Sequence, residues 1–438
     1  MNLVIIGTGY VGLTTGVGYA TLGHKVACVD VDERKIAELD HGSVPFYEPG
    51  VQAALTDAQE AGRIMFTTDL ASVMSEAEVI MIAVGTPSTS TGEADLSYVE
   101  AAAKQIGTLL KHEAVVVMKS TVPVGTNRRI IQVIREAMKE AGQAELTSLI
   151  NIVSVPEFLR EGSALDDFLQ PDRIVIGAED KIAAQTIDRL HGNIRAPRVM
   201  TGLESAELIK YAANAFLATK ISFINEIANL ADRVGADVRH VAEGIGYDHR
   251  IGPHFLQAGI GYGGSCFPKD VSALEQISGS NGYGFKLISA VIEVNNRQRD
   301  NFFKRIAHTL GPLKGRRIAV WGLAFKPHTD DIRESAAIDI TRRLLASGAE
   351  ICAFDPEASE NAKAVLPDHI EFAPTAIDAA TGAEALIVLT EWPEFQNVSF
   401  STLKSRMVGD HVFDGRNCLA DHNLSQHGFQ YHGVGLCS

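Results

Sequence analysis

The 438-residue sequence contains no apolar run approaching the roughly 20 residues that a membrane-spanning helix needs. We therefore predict no transmembrane segment and no membrane partner. The beginning of the chain also differs from a secretory leader, because the short apolar run Leu3–Ile6 leads directly into a glycine-rich turn.

Cysteine is scarce, and the five residues present show no metal-ligand spacing: Cys28, Cys266, Cys352, Cys418 and Cys437. An odd number of scattered cysteines predicts reduced thiols, a cytoplasmic location and no metal site.

Positive charge is in deficit, with 39 Lys and Arg against 54 Asp and Glu and a formal net charge of −15. This balance argues against a nucleic-acid partner. If the ligands are anionic, lysines and arginines must be concentrated locally at the site.

The first 30 residues carry a complete dinucleotide-binding pattern. A β-like run, Leu3–Ile6, precedes Gly7-Thr8-Gly9-Tyr10-Val11-Gly12, and a second apolar run, Lys25–Val29, ends in Asp30. Glycines at this spacing permit a tight turn and bring backbone N–H groups to a pyrophosphate at a helix N-terminus. Asp30 would accept hydrogen bonds from ribose hydroxyls and repel a 2′-phosphate, so the pattern predicts NAD rather than NADP.

Further apolar runs alternate with helical segments as far as about residue 200, which predicts a mainly parallel, doubly wound sheet. Ligands bind beyond the carboxyl ends of such strands. Thr86, Thr121 and Glu157 each follow a predicted strand, and we interpret them as site residues rather than loop residues.

From Gly202 to about Gly235 the sequence predicts one long helix. Lys210 and Asn214 are four residues apart and therefore share a face. Tyr211, Ala212 and Phe216 nearby indicate that most of the helix circumference is buried, and a buried Lys and Asn need polar partners.

The segment Gly259–Asp270 has four glycines within six residues, followed by Cys266, Lys269 and Asp270. Glycines there allow positive φ and close approach of the backbone to a ligand. A thiol reacts as the thiolate, which nearby cations and backbone N–H groups favour. The alternative is a glycine-rich turn that happens to contain a buried cysteine.

A second α/β pattern begins near residue 315. Val320-Trp321-Gly322 and Phe354-Asp355 resemble the first domain, but Leu323-Ala324-Phe325-Lys326-Pro327 replaces the glycine fingerprint. We predict two Rossmann-like doubly wound domains joined by a long central helix and a helical domain, with domains at residues 1–200, 201–300 and 301–438.

Eight sequence blocks, in order along nearly the whole chain, resemble those of UDP-glucose 6-dehydrogenases, in the UDP-glucose/GDP-mannose dehydrogenase family. The blocks are GTGYVG (7–12), VGTP (84–87), STVPVGT (120–126), PEFLREG (156–162), KYAANAFLATKISFINE (210–226), GGSCFPKD (263–270), FKPHTDDIRES (325–335) and DGRN (414–417). The resemblance implies an NAD domain, a central helix that forms a homodimer, and a C-terminal UDP-binding domain. It also implies oxidation of UDP-glucose at C6 to UDP-glucuronate with two NAD, through a thiohemiacetal and a thioester on Cys266.

The resemblance also implies roles for single residues. The catalytic positions are the nucleophile, two oxyanion donors, two water-positioning groups and a general acid/base: Cys266, Lys210 with Asn214, Asp270 with Thr121, and Glu157. Those matching cofactor contacts are Gly7, Gly9, Tyr10, Val11, Gly12, Asp30, Lys35, Thr86, Thr121, Glu161, Lys269 and Arg333. Those matching substrate contacts are Phe158, Leu159, Glu161, Lys210, Asn214, Arg250 (from a dimer partner), Phe255, Leu256, Gly263, Lys326 and Arg416.

Four other functions stay open at this point. GDP-mannose and UDP-N-acetyl-mannosamine dehydrogenases share the cysteine, lysine and NAD motifs, although Phe267, the Asp248–Gly252 block and the DGRN block favour UDP-glucose. A hydroxy-acid dehydrogenase would transfer one hydride and needs neither the cysteine nor a further α/β domain. A non-catalytic nucleotide sensor would tolerate loss of Cys266 or Lys210, and both are present.

Overall fold

The computed structural model describes residues 1–87, 89 and 92–436, which divide into two compact units, Met1–Ala213 and Asn214–Ser438. The division into three domains therefore stays a prediction. Cys437 lies outside the described residues. The four described cysteines are thiols outside any disulfide, and the cytoplasmic location stays a prediction.

The first unit is built on one sheet. Within the described residues it has eight strands in the order β3-β2-β1-β4-β5-β6-β7-β8. Neighbouring strands are parallel except β6 and β7, which are antiparallel. The strands are β1 Asn2–Ile6, β2 Lys25–Val29, β3 Ile64–Thr67, β4 Val79–Ile82, β5 Ala114–Met118, β6 Ile150–Ser154, β7 Ile174–Ala178 and β8 Arg198–Thr201.

Helices cover both faces of this sheet. Successive side chains of a strand point to opposite faces, so Leu3 and Ile5 enter one hydrophobic core while Val4 and Ile6 enter another. This confirms the doubly wound fold of the N-terminal part. The helices are α1 Tyr10–Thr21, α2 Glu33–Asp40, α3 Val51–Glu60, α4 Ser97–Leu109, α5 Thr126–Glu140, α6 Ala164–Leu169 and α7 Lys181–Leu190.

The predicted long helix is α8, Leu203–Val234, and the boundary between the two units falls within it. Lys210 and Asn214 are buried, as expected. Two of the residues on which the prediction of a mostly buried circumference rested, Ala212 and Phe216, are exposed in the single chain. Neither α8 nor any other described helix is long and apolar enough to cross a membrane.

Three more helices precede the second sheet: α9 Val238–Gly246, α10 Phe267–Ser280 and α11 Lys286–Leu310. The sequence predicts helix over Ala273–Arg299 with an interruption around Gly279–Gly284, and the break between α10 and α11 falls there. Pro268 in the first turn of α10 is compatible with a helix start, where its missing N–H has no intrahelical acceptor.

The second sheet repeats the strand order of the first. Its described strands lie in the order β11-β10-β9-β12-β13-β14, all parallel, like β3-β2-β1-β4-β5-β6. This is the order of a dinucleotide-binding fold. The elements are β9 Arg317–Trp321, α12 Ala336–Ala346, β10 Glu350–Phe354, α13 Ser359–Lys363, β11 Glu371–Phe372, α14 Ala376–Ala380, β12 Ala385–Val388, α15 Pro393–Gln396, α16 Phe400–Arg406, β13 His411–Asp414 and β14 Gln430–His432.

The resemblance between Asp30 and Asp355 has a structural basis. In both sheets an acid after the second strand accepts a backbone N–H from the turn after the first strand, at Thr8 (2.8 Å) and at Leu323 (2.6 Å). Asp355 also accepts hydrogen bonds from the Ala324 backbone N–H and from the Trp392 indole N–H. Its buried carboxylate therefore stabilises the turn that follows β9.

Candidate functional site

The glycine fingerprint of the first unit connects β1 to α1. Gly7 has φ of +100°, and a Cβ there would lie 2.7 Å from the carbonyl oxygen of Ala83; a Cβ on Gly12 would lie 1.9 Å from the Gly7 carbonyl oxygen. Gly9, the N-cap of α1, differs, because among the described residues no atom beyond its own chain neighbours lies within 4 Å of the place where its Cβ would be. Two glycines thus permit the turn, and the third leaves space at a helix N-terminus, where a pyrophosphate fits.

Asp30 follows β2 beside this turn and is already hydrogen-bonded. Its Oδ2 accepts from the Thr8 hydroxyl at 2.7 Å and lies 3.2 Å from Lys35 Nζ. Burial alone would raise the pKa of Asp30, but the hydrogen bonds from Thr8 and the charge of Lys35 hold it below its ordinary value. The group is therefore a carboxylate at neutral pH, as ribose recognition and rejection of a 2′-phosphate require.

Three other proposed cofactor residues of this unit, Thr86, Thr121 and Glu161, lie on loops that follow strands β4, β5 and β6. Thr86 is buried and its hydroxyl donates to the Thr121 carbonyl oxygen at 2.9 Å, so these two loops are joined. Glu48, which sequence reasoning missed, accepts from the Tyr10 hydroxyl and from the Gly162 backbone N–H. It thereby ties the fingerprint helix to the loop that contains Glu161.

A buried ion pair follows strand β6. Lys210 Nζ lies 3.0 Å from Glu157 Oε1, and the two side chains are 4% and 6% exposed. The second carboxylate oxygen of Glu157 accepts the Leu159 backbone N–H at 2.7 Å. Phe158 stacks its ring against the Arg173 guanidinium, 3.6 Å away, and lies 5.4 Å from Lys210 Nζ.

A second buried lysine acts on this pair. Lys119 follows β5, the strand next to β6, and is 6% exposed. Burial lowers its pKa from 10.5 to about 8, with the Glu157 carboxylate opposing the change and Lys210 adding to it. Burial would raise the pKa of Glu157, but Lys210, the Leu159 N–H and Lys119 hold it below its ordinary value. Two buried lysines, Lys119 and Lys210, thus act on the single carboxylate of Glu157.

In the second unit the candidate nucleophile stands at the start of a helix. Cys266 is the N-cap of α10 and is partly exposed, with Sγ 3.5 Å from the Ser265 hydroxyl. One turn later, Asp270 is 1% exposed and accepts a hydrogen bond from Asn214 Nδ2 at 2.6 Å. Lys269 Nζ lies 3.4 Å from the other oxygen of Asp270. Asp270 is thereby placed one helical turn from the thiol, with a donor and a cation beside it.

The glycines before Cys266 are needed for packing within the protein. A Cβ on Gly263 would lie 2.3 Å from the carbonyl oxygen of Glu334, and one on Gly264 would lie 2.7 Å from the Phe325 ring. The sequence predicts that these glycines bring the backbone close to a ligand. In the structure they bring it close to the 325–335 segment of the protein itself.

The arginines and lysine proposed for binding all have contacts of their own in the second unit. Arg416 donates to the carbonyl oxygens of Leu389, Gly261 and Phe325. Lys326 Nζ lies 5.5 Å from the centre of the Phe325 ring. Exposed arginines pair with the acid two residues earlier, and these are Arg333 with Asp331 and Arg250 with Asp248.

The two proposed apolar substrate contacts beyond α9 differ in exposure. Leu256 is buried, whereas Phe255 is partly exposed and has φ of +64°. The Phe255 ring lies 6.1 Å from that of Phe267, which follows Cys266 directly.

Comparison with known proteins matches three segments to domain models of one family. Residues 1–195 match the NAD binding domain, 204–297 the central domain and 319–421 the UDP binding domain of the UDP-glucose/GDP-mannose dehydrogenase family. The chain is 48% identical to the UDP-glucose 6-dehydrogenase TuaD of Bacillus subtilis, over 99% of this chain and 93% of the relative. It is 45% identical to the UDP-glucose 6-dehydrogenase of Rhizobium meliloti, over 99% of both chains.

The chain belongs to the UDP-glucose/GDP-mannose dehydrogenase family.

A solved relative has the same fold. The UDP-glucose dehydrogenase of Pyrobaculum islandicum superposes with a TM-score of 0.91 at 40% identity, over 99% of this chain and 98% of that one. The chain is thus an NAD-dependent dehydrogenase of this family, and its first unit carries the NAD binding domain. Gly9 and Asp30 are the residues predicted to hold the cofactor's pyrophosphate and adenosine ribose.

Each unit brings together part of the proposed site. The first joins Glu157 to Lys210 and Thr86 to Thr121, and the second joins Asn214 to Asp270 one turn from Cys266. Lys119 was missed, although its position directly after an apolar strand is the same signal that singled out Thr121. Glu48 lies in a loop between helices and offered no such signal.

The depressed pKa of Lys119 predicts a pH-dependent stability difference between the wild-type protein and Lys119→Met. An unfolded lysine holds its proton up to pH 10.5, whereas Lys119 loses it at about pH 8, so folding carries a penalty below pH 8 that disappears by pH 10.5. The wild-type free energy of unfolding, relative to the variant, should therefore rise by about 3 kcal/mol as pH increases through this window. Urea denaturation at about pH 7.5 and about pH 9.5 should detect about 2 kcal/mol of it. The exposed Lys111→Met is the control, and an equal pH dependence in all three proteins would contradict the expected effect.

Proposed function

We propose that this dehydrogenase oxidises UDP-glucose at C6 to UDP-glucuronate, a four-electron reaction carried through covalent intermediates on Cys266. The observation that carries the proposal is the thiol at the N-terminus of α10, with the buried Asp270–Asn214 pair one turn away. Supporting it, curated relatives named UDP-glucose 6-dehydrogenase are 42–48% identical over 99% of the chain.

The first oxidation converts the C6 alcohol to an aldehyde. The hydroxyl gives up its proton to water and C6 gives up a hydride. The cofactor would supply the oxidant, with two NAD used in turn and each accepting one hydride. Lys210 is the proposed partner of the developing alkoxide, with Asn214 as a second donor. The buried environment of Lys210 favours this role, because a fixed charge acts more strongly where water is excluded.

The second oxidation requires the thiol. The Cys266 thiolate forms a C–S bond to the aldehyde carbon, and the resulting thiohemiacetal loses a second hydride to become a thioester. Holding the carbon covalently prevents loss of the aldehyde between the steps. The N-terminus of α10 favours the thiolate form, since unpaired backbone N–H groups stabilise negative charge there.

Hydrolysis then releases the acid. Water adds to the thioester carbonyl, and the C–S bond breaks to return the thiolate and a carboxylate. We assign water positioning to Asp270 and Thr121, and proton transfer to Glu157. Glu157 is a buried carboxylate beside Lys210, so it is the group available to accept a proton there.

The uridine diphosphate requires local positive charge in an acidic chain. Lys326 and Arg416 are the proposed cations, with Phe255, Leu256 and Gly263 as neighbouring contacts. Phe158, Leu159 and Glu161 are assigned to the sugar side. Lys35, Lys269 and Arg333 are assigned to NAD, whose binding also uses Tyr10, Val11 and Thr86.

Counting NADH tests the proposed function. A limiting amount of UDP-glucose with excess NAD should yield two NADH per sugar, and mass spectrometry should identify UDP-glucuronate. One NADH per sugar would indicate a two-electron dehydrogenase. Parallel reactions with GDP-mannose and UDP-N-acetyl-mannosamine serve as the comparison, and higher kcat/KM with either would reassign the substrate.

We also propose a homodimer formed through helix α8. Phe216, Phe223, Leu230 and Val234 are between 53% and 66% exposed and are separated by seven, seven and four residues, so they form one apolar stripe. An exposed apolar stripe of this length is typical of an association surface. We further propose that Arg250, whose side chain is 78% exposed, reaches the substrate bound to the partner.

Phe223→Glu should convert the dimer to a monomer, because a charge in the middle of the stripe cannot be buried against a second copy without cost. Light scattering should show the mass halved, while Val365→Glu, another exposed apolar position in the second unit, keeps the dimer. If Arg250 completes the partner's site, the monomer should show a raised KM for UDP-glucose, as should dimeric Arg250→Ala. A Phe223→Glu protein that stays dimeric would rule out this surface.

A further inference from the structure

We infer that Asn295 of helix α11 is a positioning residue for Cys266, acting through the backbone of Tyr262 in the loop that carries the thiol. The inference rests on the proposed function, since it concerns the placement of the proposed nucleophile. All the residues involved lie in the second unit.

Asn295 pairs with both polar groups of one peptide backbone residue. Its Oδ1 accepts the Tyr262 N–H at 2.8 Å, and its Nδ2 donates to the Tyr262 carbonyl oxygen at 3.1 Å. The side chain is buried. A Cβ on Gly261, where φ is +97°, would lie 2.5 Å from Asn295 Oδ1, so the glycine permits the amide to come this close.

The same face of α11 makes two further bonds to the loop. Gln298 Nε2 donates to the Gly259 carbonyl oxygen at 2.9 Å, and Arg299 donates to the Tyr262 carbonyl oxygen at 3.0 Å. These residues are three and four positions after Asn295 and therefore lie beside it. Arg299 also donates to the Glu334 carbonyl oxygen, which joins the loop to the segment against which Gly263 packs.

These bonds matter because the loop has little rigidity of its own. Three residues separate Tyr262 from Cys266, and two of them are glycines, which lose the most conformational freedom on ordering. On the other side of the thiol, helix α10 begins at Phe267. Cys266 thus lies between the first turn of α10 and Tyr262, whose backbone is hydrogen-bonded to Asn295 and Arg299. Its position depends on both, and a small displacement of a reacting group strongly lowers the rate of reaction.

Asn295→Ala in the full-length protein tests this role. Without the amide, the Tyr262 N–H loses its partner and the loop gains freedom, so we expect kcat with UDP-glucose to fall about tenfold or more, with KM changed less than about threefold. Iodoacetamide labelling of the Cys266 peptide, followed by mass spectrometry across a pH series, should become about fivefold faster because the thiol is less confined. Asn301→Ala is the matched control, since that amide lies on the same helix but donates to Asn229.

Arg299→Gln is the second variant, used if Asn295→Ala does not fold. It removes the guanidinium from the Tyr262 carbonyl oxygen, keeps Asn295, and should change labelling and kcat in the same directions by about threefold. Labelling and kcat within twofold of the Asn301→Ala control, in whichever variant folds, would overturn the positioning role. Labelling needs no substrate, so it reports on the loop whether or not the proposed function is correct. The proposed function itself would be refuted by a different result, full turnover by Cys266→Ala.

Discussion

Replacing Cys266 by alanine should abolish formation of the acid, with turnover falling by about three orders of magnitude or more. The variant has no thiol to hold the aldehyde carbon through the second oxidation. Binding of NAD and UDP-glucose should persist, because the proposed contacts to both come mostly from other residues. Absorbance of NADH measures turnover, and calorimetry or dye-monitored melting with each ligand measures binding.

Two variants sharpen this experiment. Cys418→Ala removes another partly buried thiol of the same unit and should leave turnover unchanged. Cys266→Ser substitutes a weaker nucleophile whose ester hydrolyses more slowly than a thioester, so a sugar adduct should accumulate on the peptide that contains residue 266. Two NADH per UDP-glucose at near wild-type rate from Cys266→Ala would show that catalysis is not covalent at this position.

Lys210→Met should lower kcat by about 10²–10³, the usual cost of removing one oxyanion donor. It should also destabilise the fold, because Glu157 loses the cation 3.0 Å away while remaining buried. Lys119 also lowers the pKa of Glu157, so the destabilisation should be smaller than for a fully unpaired buried charge.

The double variant Lys210→Met/Glu157→Gln separates catalysis from stability. Neutralising Glu157 removes the unpaired charge, so the melting temperature should recover while kcat stays low. Lys220→Met, ten residues along the same helix, removes a lysine whose Nζ donates to the Ile251 carbonyl oxygen and is the control. Recovery of kcat together with melting temperature in the double variant would mean that Lys210 acts only through folding.

Much of the fold and the first half of the cofactor site could be predicted from the sequence. The fingerprint at Gly7–Gly12 and the acid at Asp30 are local: Gly7 and Gly12 meet steric demands made by the turn itself and by the adjacent strand loop, and Gly9 leaves space at the helix N-terminus. The helical segment after Cys266 was also predicted, since glycines interrupt the pattern where α10 ends and α11 begins, but the start of α10 at Phe267 rather than near Ala273 was not.

Other features depend on contacts between distant parts of the chain. Lys119 and Glu157 are separated by 38 positions, and they meet because β5 and β6 are adjacent in the sheet. The hydrogen bonds between Asn295 and the backbone of Tyr262 join residues 33 positions apart, and they form because α11 packs against the loop. Phe216 shows the opposite error, because an apolar residue in an alanine-rich helix was expected to be buried and is exposed in the single chain.

The sequence by itself determined the two α/β patterns, the NAD fingerprint and the chemical groups available, because strand alternation, turn glycines and thiol chemistry are local properties. The tertiary structure alone decided which of those groups are buried together. Only the structure shows that two lysines act on Glu157 and that Asn214 donates a hydrogen bond to Asp270. It also shows that the glycines before Cys266 allow close packing against another segment of the same protein. Burial and pairing set the charge of an ionisable group, and both depend on neighbours that the chain brings together only when it folds.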